Sequence, residues 1–380
     1  MDISHMRGGR MIGKGTYGCV FDPPLICRGD KEPKGGFKKG KLGKFTAMDD
    51  LANEFLAAKL FEKKPESKKY FILPEMNTLC DVGEHGESAL NIDSQKEKDI
   101  HKCDSVVEKA GMSHMLHYQL EYGGKTLQEK LSDIQIAVKE FPFFKFMNGL
   151  LEIGAYLLLN GIVHNDLHAA NIMMNKSYHP RLIDFGRCYL EKQISQKVLD
   201  NLAAEYDASL GQITPECTTQ DGLESGVEFN MIMQDLIEKK PGLLAAERIF
   251  GQSRQEQIAI FRNFWKSSKA IQDNDYVRFW KLYWPAVDAW SIGHDLASTL
   301  IKLSMSNTFM TSKTFKEKFP VLKAVITGLL KVSPRERLDC LEALALYDPS
   351  NALVVGEAGK SWLSKKQAKR EKTNAKAKTI

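Results

Sequence analysis

The 380-residue sequence predicts an α+β chain of two lobes, a small β-rich first lobe followed by a larger, mainly helical one. Three observations lead there. Strand-type alternation broken by glycine is confined to the first third, helical spacing of apolar residues takes over from about residue 127, and the length suits two or three folding units at about 100–200 residues each. With 43% hydrophobic and 27% charged residues, the chain has ordinary globular composition. That excludes wholesale disorder, a collagen-like repeat and a small disulfide-stapled scaffold.

The elements follow in order. Residues 10–20 (RMIGKGTYGCV) alternate around a glycine turn and predict a hairpin. A basic cluster, Lys31 to Lys44, is interleaved with Gly29, Gly35, Gly36, Gly40 and Gly43, and reads as a flexible loop between two strands. Leu51, Phe55 and Ala58 stand at helical spacing in 48–61, after an Asp49-Asp50 start. Residues 113–122 read as a strand that Gly123-Gly124 breaks; helices are then predicted over 127–140, 143–160, 286–303 and 319–345. The apolar stretch Phe141 to Val163 is interrupted by Lys145, Glu152 and Asn160, which fits a buried helix rather than a membrane span. The N-terminus MDISHMRGGR has no apolar core, so no secretory signal is expected. No internal repeat is visible.

Seven cysteines (Cys19, Cys27, Cys80, Cys103, Cys188, Cys217, Cys340) are odd in number, scattered and without a CxxC pair. They predict a reducing compartment, no disulfide framework and no zinc site. The formal charge is +5, yet Lys365 to Lys378 alone holds seven basic residues against one acid, leaving the rest of the chain at about −1. Residues 351–380 therefore read as a basic, disordered tail, able to serve as a hook for nucleic acid or an acidic partner. The lobes are expected over 1–122 and 123–350, the second with an insertion at about 217–284. That insertion holds Phe261, Phe264, Trp265, Tyr276, Phe279, Trp280, Tyr283 and Trp284, read as the buried face of added helices with a docking surface as the alternative.

Three motifs carry chemistry. Gly13-x-Gly15-x-x-Gly18-x-Val20 would let a backbone approach phosphate with no Cβ in the way. Alone it is weak, and the missing strand-loop-helix context disfavours a dinucleotide site. His164-Asn165-Asp166-Leu167-His168-Ala169-Ala170-Asn171 follows a long helix; its carboxylate and amide, five residues apart, could orient a nucleophile and hold a metal, or merely form a polar loop with an Asx turn. Asp184-Phe185-Gly186, after the apolar Leu182-Ile183, suits a magnesium ligand facing triphosphate oxygens.

In this order and spacing the motifs resemble a eukaryotic-type protein kinase. Thr214-Pro215-Glu216 matches the APE position, Asp288-Ala289-Trp290-Ser291-Ile292-Gly293 the DxWSxG helix, and Pro334-Arg335-Glu336-Arg337 the late segment whose arginine pairs with the APE glutamate, giving Arg337 with Glu216. The resemblance covers about residues 8 to 347. GTYGCVFDPPLIC, the short GK-containing lysine strand and EYGGKTL are similar to the divergent kinases of nucleocytoplasmic large DNA viruses. That narrower likeness implies a protein of the cytoplasm or nucleus of an infected cell, or one packaged in a virion.

The resemblance implies ATP and Mg²⁺ as cofactors and protein substrates. Asp166 would accept or orient the substrate hydroxyl, Asn171 and Asp184 would ligate magnesium, and Lys44 would bind the α/β-phosphates, with Glu54 as its partner. Lys38, Lys39 and above all Lys41 compete with Lys44, though Leu42-Gly43-Lys44-Phe45 best fits a strand ending just before a helix. Gly13, Gly15, Gly18 and Val20 would line the nucleotide, with Leu120 as gatekeeper and Glu121 and Gly123 offering backbone hydrogen bonds to the base. All five polar positions are filled, which argues against an inactive scaffold.

Two departures stand out. Asn165 replaces the arginine that usually reads an activation-segment phosphate, which implies activity without that phosphate. His168 stands where Ser/Thr kinases have lysine; it would support the reaction as a cation, or simply pack. HxDLHxxN is also similar to small-molecule phosphotransferases of the aminoglycoside and choline kinase type, which generally lack the APE-like and DxWSxG motifs. DLHAAN is similar to some tyrosine kinases, so the Ser/Thr reading is not exclusive.

Overall fold

A computed structural model describes residues 10–15, 18–25, 40–81, 103, 115–132 and 141–377. The chain divides into two compact units, Met1–Gly124 with Ile183–Gly186, and Lys125–Leu182 with Arg187–Ile380. The first boundary falls two residues beyond the expected 122, at the glycine pair. The short piece around Asp184 belongs with the first unit.

The first unit is an antiparallel sheet in the order β1-β2-β3-β5-β4, built from β1 (Arg10–Lys14), β2 (Gly18–Asp22), β3 (Lys41–Ala47), β4 (Glu75–Asp81) and β5 (Met115–Glu121). The expected hairpin is β1–β2, and β3 runs straight into helix α1, Met48–Phe61. Period-two alternation sends Leu116, Tyr118 and Leu120 to one face of β5, where they meet Leu51 and Phe55 of α1. Most of the glycine-rich basic cluster, 31–39, lies outside the described residues.

The second unit is mainly helical. Short strands β6 (Lys125–Thr126), β8 (Ile172–Met174) and β9 (Pro180–Leu182) form one small sheet, and β7 (Ile162–Val163) pairs with β10 (Tyr189–Leu190). The helix expected over 127–140 is α2, Leu127–Ser132; residues 133–140 lie outside the described residues. α3, Phe143–Leu159, is buried along most of its length. Then come α4 (Pro215–Glu224), α5 (Phe229–Lys239), α6 (Pro241–Phe250), α7 (Arg254–Ser267), α8 (Tyr276–Tyr283) and the central α9 (Val287–Ser304). The helix expected over 319–345 is in fact two, α10 (Lys313–Leu329) and α11 (Cys340–Tyr347). Pro334 lies between them, and Asp339 caps α11 through a reciprocal capping box with Glu342.

The aromatic run of the insertion is core. Phe261, Phe264, Trp265, Phe279, Trp280 and Trp284 are buried, and the Phe279 ring lies 4.9–6.1 Å from those of Tyr283, Trp280, Trp265 and Phe264. Among the described residues no helix is long and apolar enough to cross a membrane.

Two expectations are corrected. Cys19 and Cys103 form a disulfide across 84 residues, their Cα atoms 6.1 Å apart, and Cys80 is also disulfide-bonded. Parity and CxxC spacing are tests along the chain, whereas a disulfide needs only two Cα atoms brought within reach by folding. The reducing compartment no longer follows. Nor is the tail disordered: Glu357–Ala377 forms helix α12. Trp362 sets its ring 5.8 Å from that of Trp284 and donates its indole N–H to Asp339 (2.9 Å), and Lys366 reaches the same carboxylate at 3.0 Å. Composition registered the charge of this segment and missed the anchor.

Candidate active site

Within the first unit the chemistry gathers around Lys44. The β ladder pairs Lys44 with Val20 on β2 and with Tyr118 on β5. Its ammonium forms an ion pair with the buried Glu54 carboxylate in the second turn of α1, and stands 3.4 Å from Asp184 Oδ1. Tyr118 donates its hydroxyl to the other Glu54 oxygen. Burial alone would push the lysine down, but Glu54, Tyr118 and Asp184 outweigh it and hold Lys44 well above the usual lysine range. It is a fixed cation. Lys41 pairs with Glu75 and not with Glu54; Lys38 and Lys39 lie outside the described residues.

Asp184 has φ 63°, a left-handed conformation that Asp tolerates better than most residues. Asn53, next to Glu54, donates its side-chain amide to Gly186 O at 2.8 Å, and the buried Phe185 meets Phe71 edge-on at 5.3 Å. α1 therefore holds the 184–186 turn on one side of Lys44 and supplies the counter-ion on the other. Asn53 and Tyr118 were not singled out from the sequence. The inward alternation of the 113–122 strand was the available signal for Tyr118.

The three glycines differ in what they answer to. A Cβ on Gly18 would lie 2.5 Å from Phe45 O, so close β2–β3 packing demands glycine there. At Gly13 and Gly15 the nearest atoms would be 3.9 and 3.8 Å away, ordinary contact. Among the described residues, nothing requires those two to lack a side chain. Leu120 is half-buried on β5 opposite Leu42, Glu121 opposite Lys41 ends the strand, and Gly123 follows.

Within the second unit the loop from His164 to Asn171 connects β7 to β8. Asp288, at the start of α9, accepts the backbone N–H groups of His164 (2.8 Å) and Asn165 (3.0 Å), and so fixes the residues before Asp166. Asn165 takes up φ 62°, which asparagine tolerates. Asn171 donates its amide nitrogen to Asp166 O at 2.9 Å and approaches Asp166 Oδ2 at 3.4 Å. That orientation directs its oxygen, the atom a hard cation would take, away from Asp166. His168 Nδ1 accepts the Ala170 N–H at 3.3 Å, and its Nε2 lies 3.1 Å from Asn171 Nδ2 and 3.7 Å from Asp166 Oδ1.

The Arg337–Glu216 pair forms as inferred. Two guanidinium nitrogens reach the two carboxylate oxygens at 2.8 and 2.9 Å, both side chains fully buried, and the arginine also donates to Ala286 O, Val332 O and Lys331 O. A bidentate pair with its remaining donors used ties α4 to the start of α9 and to the turn before α11.

A protein kinase domain model matches residues 38–346. The chain belongs to the protein kinase family. The chain is 28% identical over 197 residues to a cysteine-rich receptor-like protein kinase 10 of rice, half of this chain and 24% of that one. It is 24% identical over 188 residues to a probable serine/threonine-protein kinase of Dictyostelium discoideum, 49% of this chain and 26% of that one. A rice protein kinase and PP2C-like domain-containing protein shares 44% identity over 46 residues, 12% of this chain and 7% of the relative. The kinase thus spans about a quarter or less of the length of the curated relatives it matches.

Proposed function

We propose that this kinase transfers the γ-phosphoryl group of ATP, with Mg²⁺, to serine or threonine hydroxyls of protein substrates. The observation that carries the reading is the buried Lys44–Glu54–Tyr118 cluster with Asp184 at 3.4 Å, because a phosphate-binding lysine held by a helix glutamate is what phosphoryl transfer requires in this family. Lys44 would bind the α/β-phosphates, with Gly13 and Gly15 leaving room for close backbone approach. Val20 and Leu120 would contact the base, and Glu121 and Gly123 would bond it through the backbone. Asp166 would orient the acceptor hydroxyl and take its proton.

Asn171 and Asp184 offer oxygen donors, the ligand type magnesium prefers. Among the described residues no three His, Cys, Asp or Glu side chains gather into a metal cage, and a magnesium ion held by one or two side chains and substrate phosphates needs none. When bound, the metal neutralises phosphate charge.

Support for Ser/Thr specificity is the name of the Dictyostelium relative. The protein substrate is favoured over a small molecule by Glu216–Arg337 and by Asp288 on the 164–165 amides, which belong to the APE-like and DxWSxG motifs. The likeness to viral kinases, and with it placement in an infected cell, rests on GTYGCVFDPPLIC and EYGGKTL. Binding of nucleic acid or an acidic partner would use α12, where Lys365 and Lys369 are exposed.

The test is incubation of the full chain with γ-labelled ATP and a mixture of casein and histone, followed by phosphoamino-acid analysis. Wild type is expected to label serine or threonine, and Asp166→Asn to lose at least about a hundredfold in rate. No transfer by wild type, or transfer only to choline or an aminoglycoside, would overturn the reading.

A further inference from the structure

Helices α5 and α6 belong to the stretch that exceeds the usual kinase spacing, and one of their residues does something the aromatic core does not explain. Lys240 stands at the corner where α5 ends, held extended by Pro241 after it. Its side chain is fully buried, an unusual place for a lysine. The Nζ atom donates to Leu210 O and to Thr218 Oγ1, each at 2.9 Å. Both acceptors are neutral, and the two N–H donors of an uncharged amine suffice for them. Burial pushes Lys240 down to about 7, against the opposing pull of Cys217, Glu216, Asp207 and Asp221.

Leu210 O is the first of three consecutive carbonyls captured by side chains. Trp290 Nε1 donates to Gly211 O (3.0 Å) and Ser291 Oγ to Gln212 O (2.8 Å). A Cβ on Gly211 would lie 2.2 Å from His294 Nε2, so the backbone there sits tight on α9. Upstream, Tyr206 donates its hydroxyl to Asp235 of α5 at 2.9 Å. The first turn of α9 thus grips two things: through Asp288 the loop that carries Asp166, and through Trp290 and Ser291 the 211–212 backbone. Because Asp288, Trp290 and Ser291 lie within four residues of one helix, the loop that carries Asp166 and the 211–212 backbone share one anchor.

We propose that Lys240, assisted by the Tyr206–Asp235 bond, is a positioning residue for protein substrate: the added helices hold 206–214 as a fixed platform next to Asp166. The inference rests on the protein-kinase reading and adds a task for the insertion. Lys240→Met keeps an unbranched chain of similar length and removes both donors. With the best-labelled protein of the casein and histone mixture as acceptor, the variant is expected to raise KM for protein about tenfold, leave KM for ATP within about twofold, and speed hydrogen exchange of amides 207–213 about tenfold.

A folded Lys240→Met protein with neither KM altered, or with both raised alike, would overturn the proposal. Should Lys240→Met fail to fold, Tyr206→Phe severs only the second strut and is expected to raise the same KM about two- to fourfold; no change there would count equally against it. Absence of labelling by wild type removes the kinase reading, and the platform with it. A wild type that labels protein while the variants do not separate the two KM values removes only the platform.

Discussion

Lys44 shows how one residue's chemistry is set by its neighbours. A lysine taken out of water loses its charge unless something compensates, and here Glu54, Tyr118 and Asp184 do. His117, next to Tyr118 on β5 and one register step from the position opposite Lys44, is the opposite case. Burial pushes it from the usual histidine value near 6.5 down to about 4, so it is neutral at physiological pH. The unfolded chain binds that proton more readily than the folded one between those values. Stability is therefore complete above about pH 6.5 and falls as the pH drops toward 4, by about 3 kcal/mol in all. Denaturant midpoints at pH 7 and pH 4.5 should show the loss in wild type and a smaller one in His117→Leu. Equal slopes would mean that other groups titrate there.

Among elements, α4 is held at its first turn by buried polar groups, Glu216 to Arg337 and Thr218 to Lys240. Breaking the Glu216–Arg337 pair strands a charge in the core, which typically costs about 3–5 kcal/mol, whereas the intact pair contributes far less than its distances suggest. Arg337→Met should lower stability by that amount in chemical unfolding, and Arg337→Met combined with Glu216→Leu should recover part of it. The segment before α4 has a second property. Beside Asn165 lies a cavity of about 30 Å³, lined by Tyr189, Leu199, Leu202, Cys217, Asp221 and their neighbours. Arg187 donates to Leu202 O, and Asp221, though raised by burial to about 6, is mostly anionic at pH 7. An apolar, acidic pocket of that size suits no phosphate dianion. Phosphatase-treated kinase should keep its full rate, and an inert enzyme revived by phosphorylation would contradict the pocket's chemistry.

At the scale of the molecule, charge and cysteine are unevenly distributed. Among the described residues, the disulfide-bonded Cys19, Cys80 and Cys103 lie in the first unit, and the thiols of Cys188, Cys217 and Cys340 in the second. The basic segment is not an appendage, because Asp339 caps α11 and at the same time receives Trp362 and Lys366 from α12. A chain ending at Gly356 should lose about 2–3 kcal/mol, the worth of a partly buried tryptophan and its hydrogen bond. One ending at Lys369 should lose almost nothing, which thermal unfolding of the two truncations would establish.

Short-range pattern was enough for much of this. Alternation and helical spacing located the β1–β2 hairpin, α1, α3 and α9, because each buries a face whose period is written locally. Motif order marked Lys44, Glu54, Asp166, Asn171 and Asp184 as candidates, and the Arg337–Glu216 pair with them. What folding alone decided depends on residues far apart in sequence: the Cys19–Cys103 bond, Tyr118 behind Glu54, Lys240 under Leu210, and Trp362 on Trp284. The opening division into a β-rich and a helical part stands, with the tail added to the helical part. Its helix forms where a highly charged sequence argues against burial, because one indole and one lysine find a capping carboxylate that no local pattern announces.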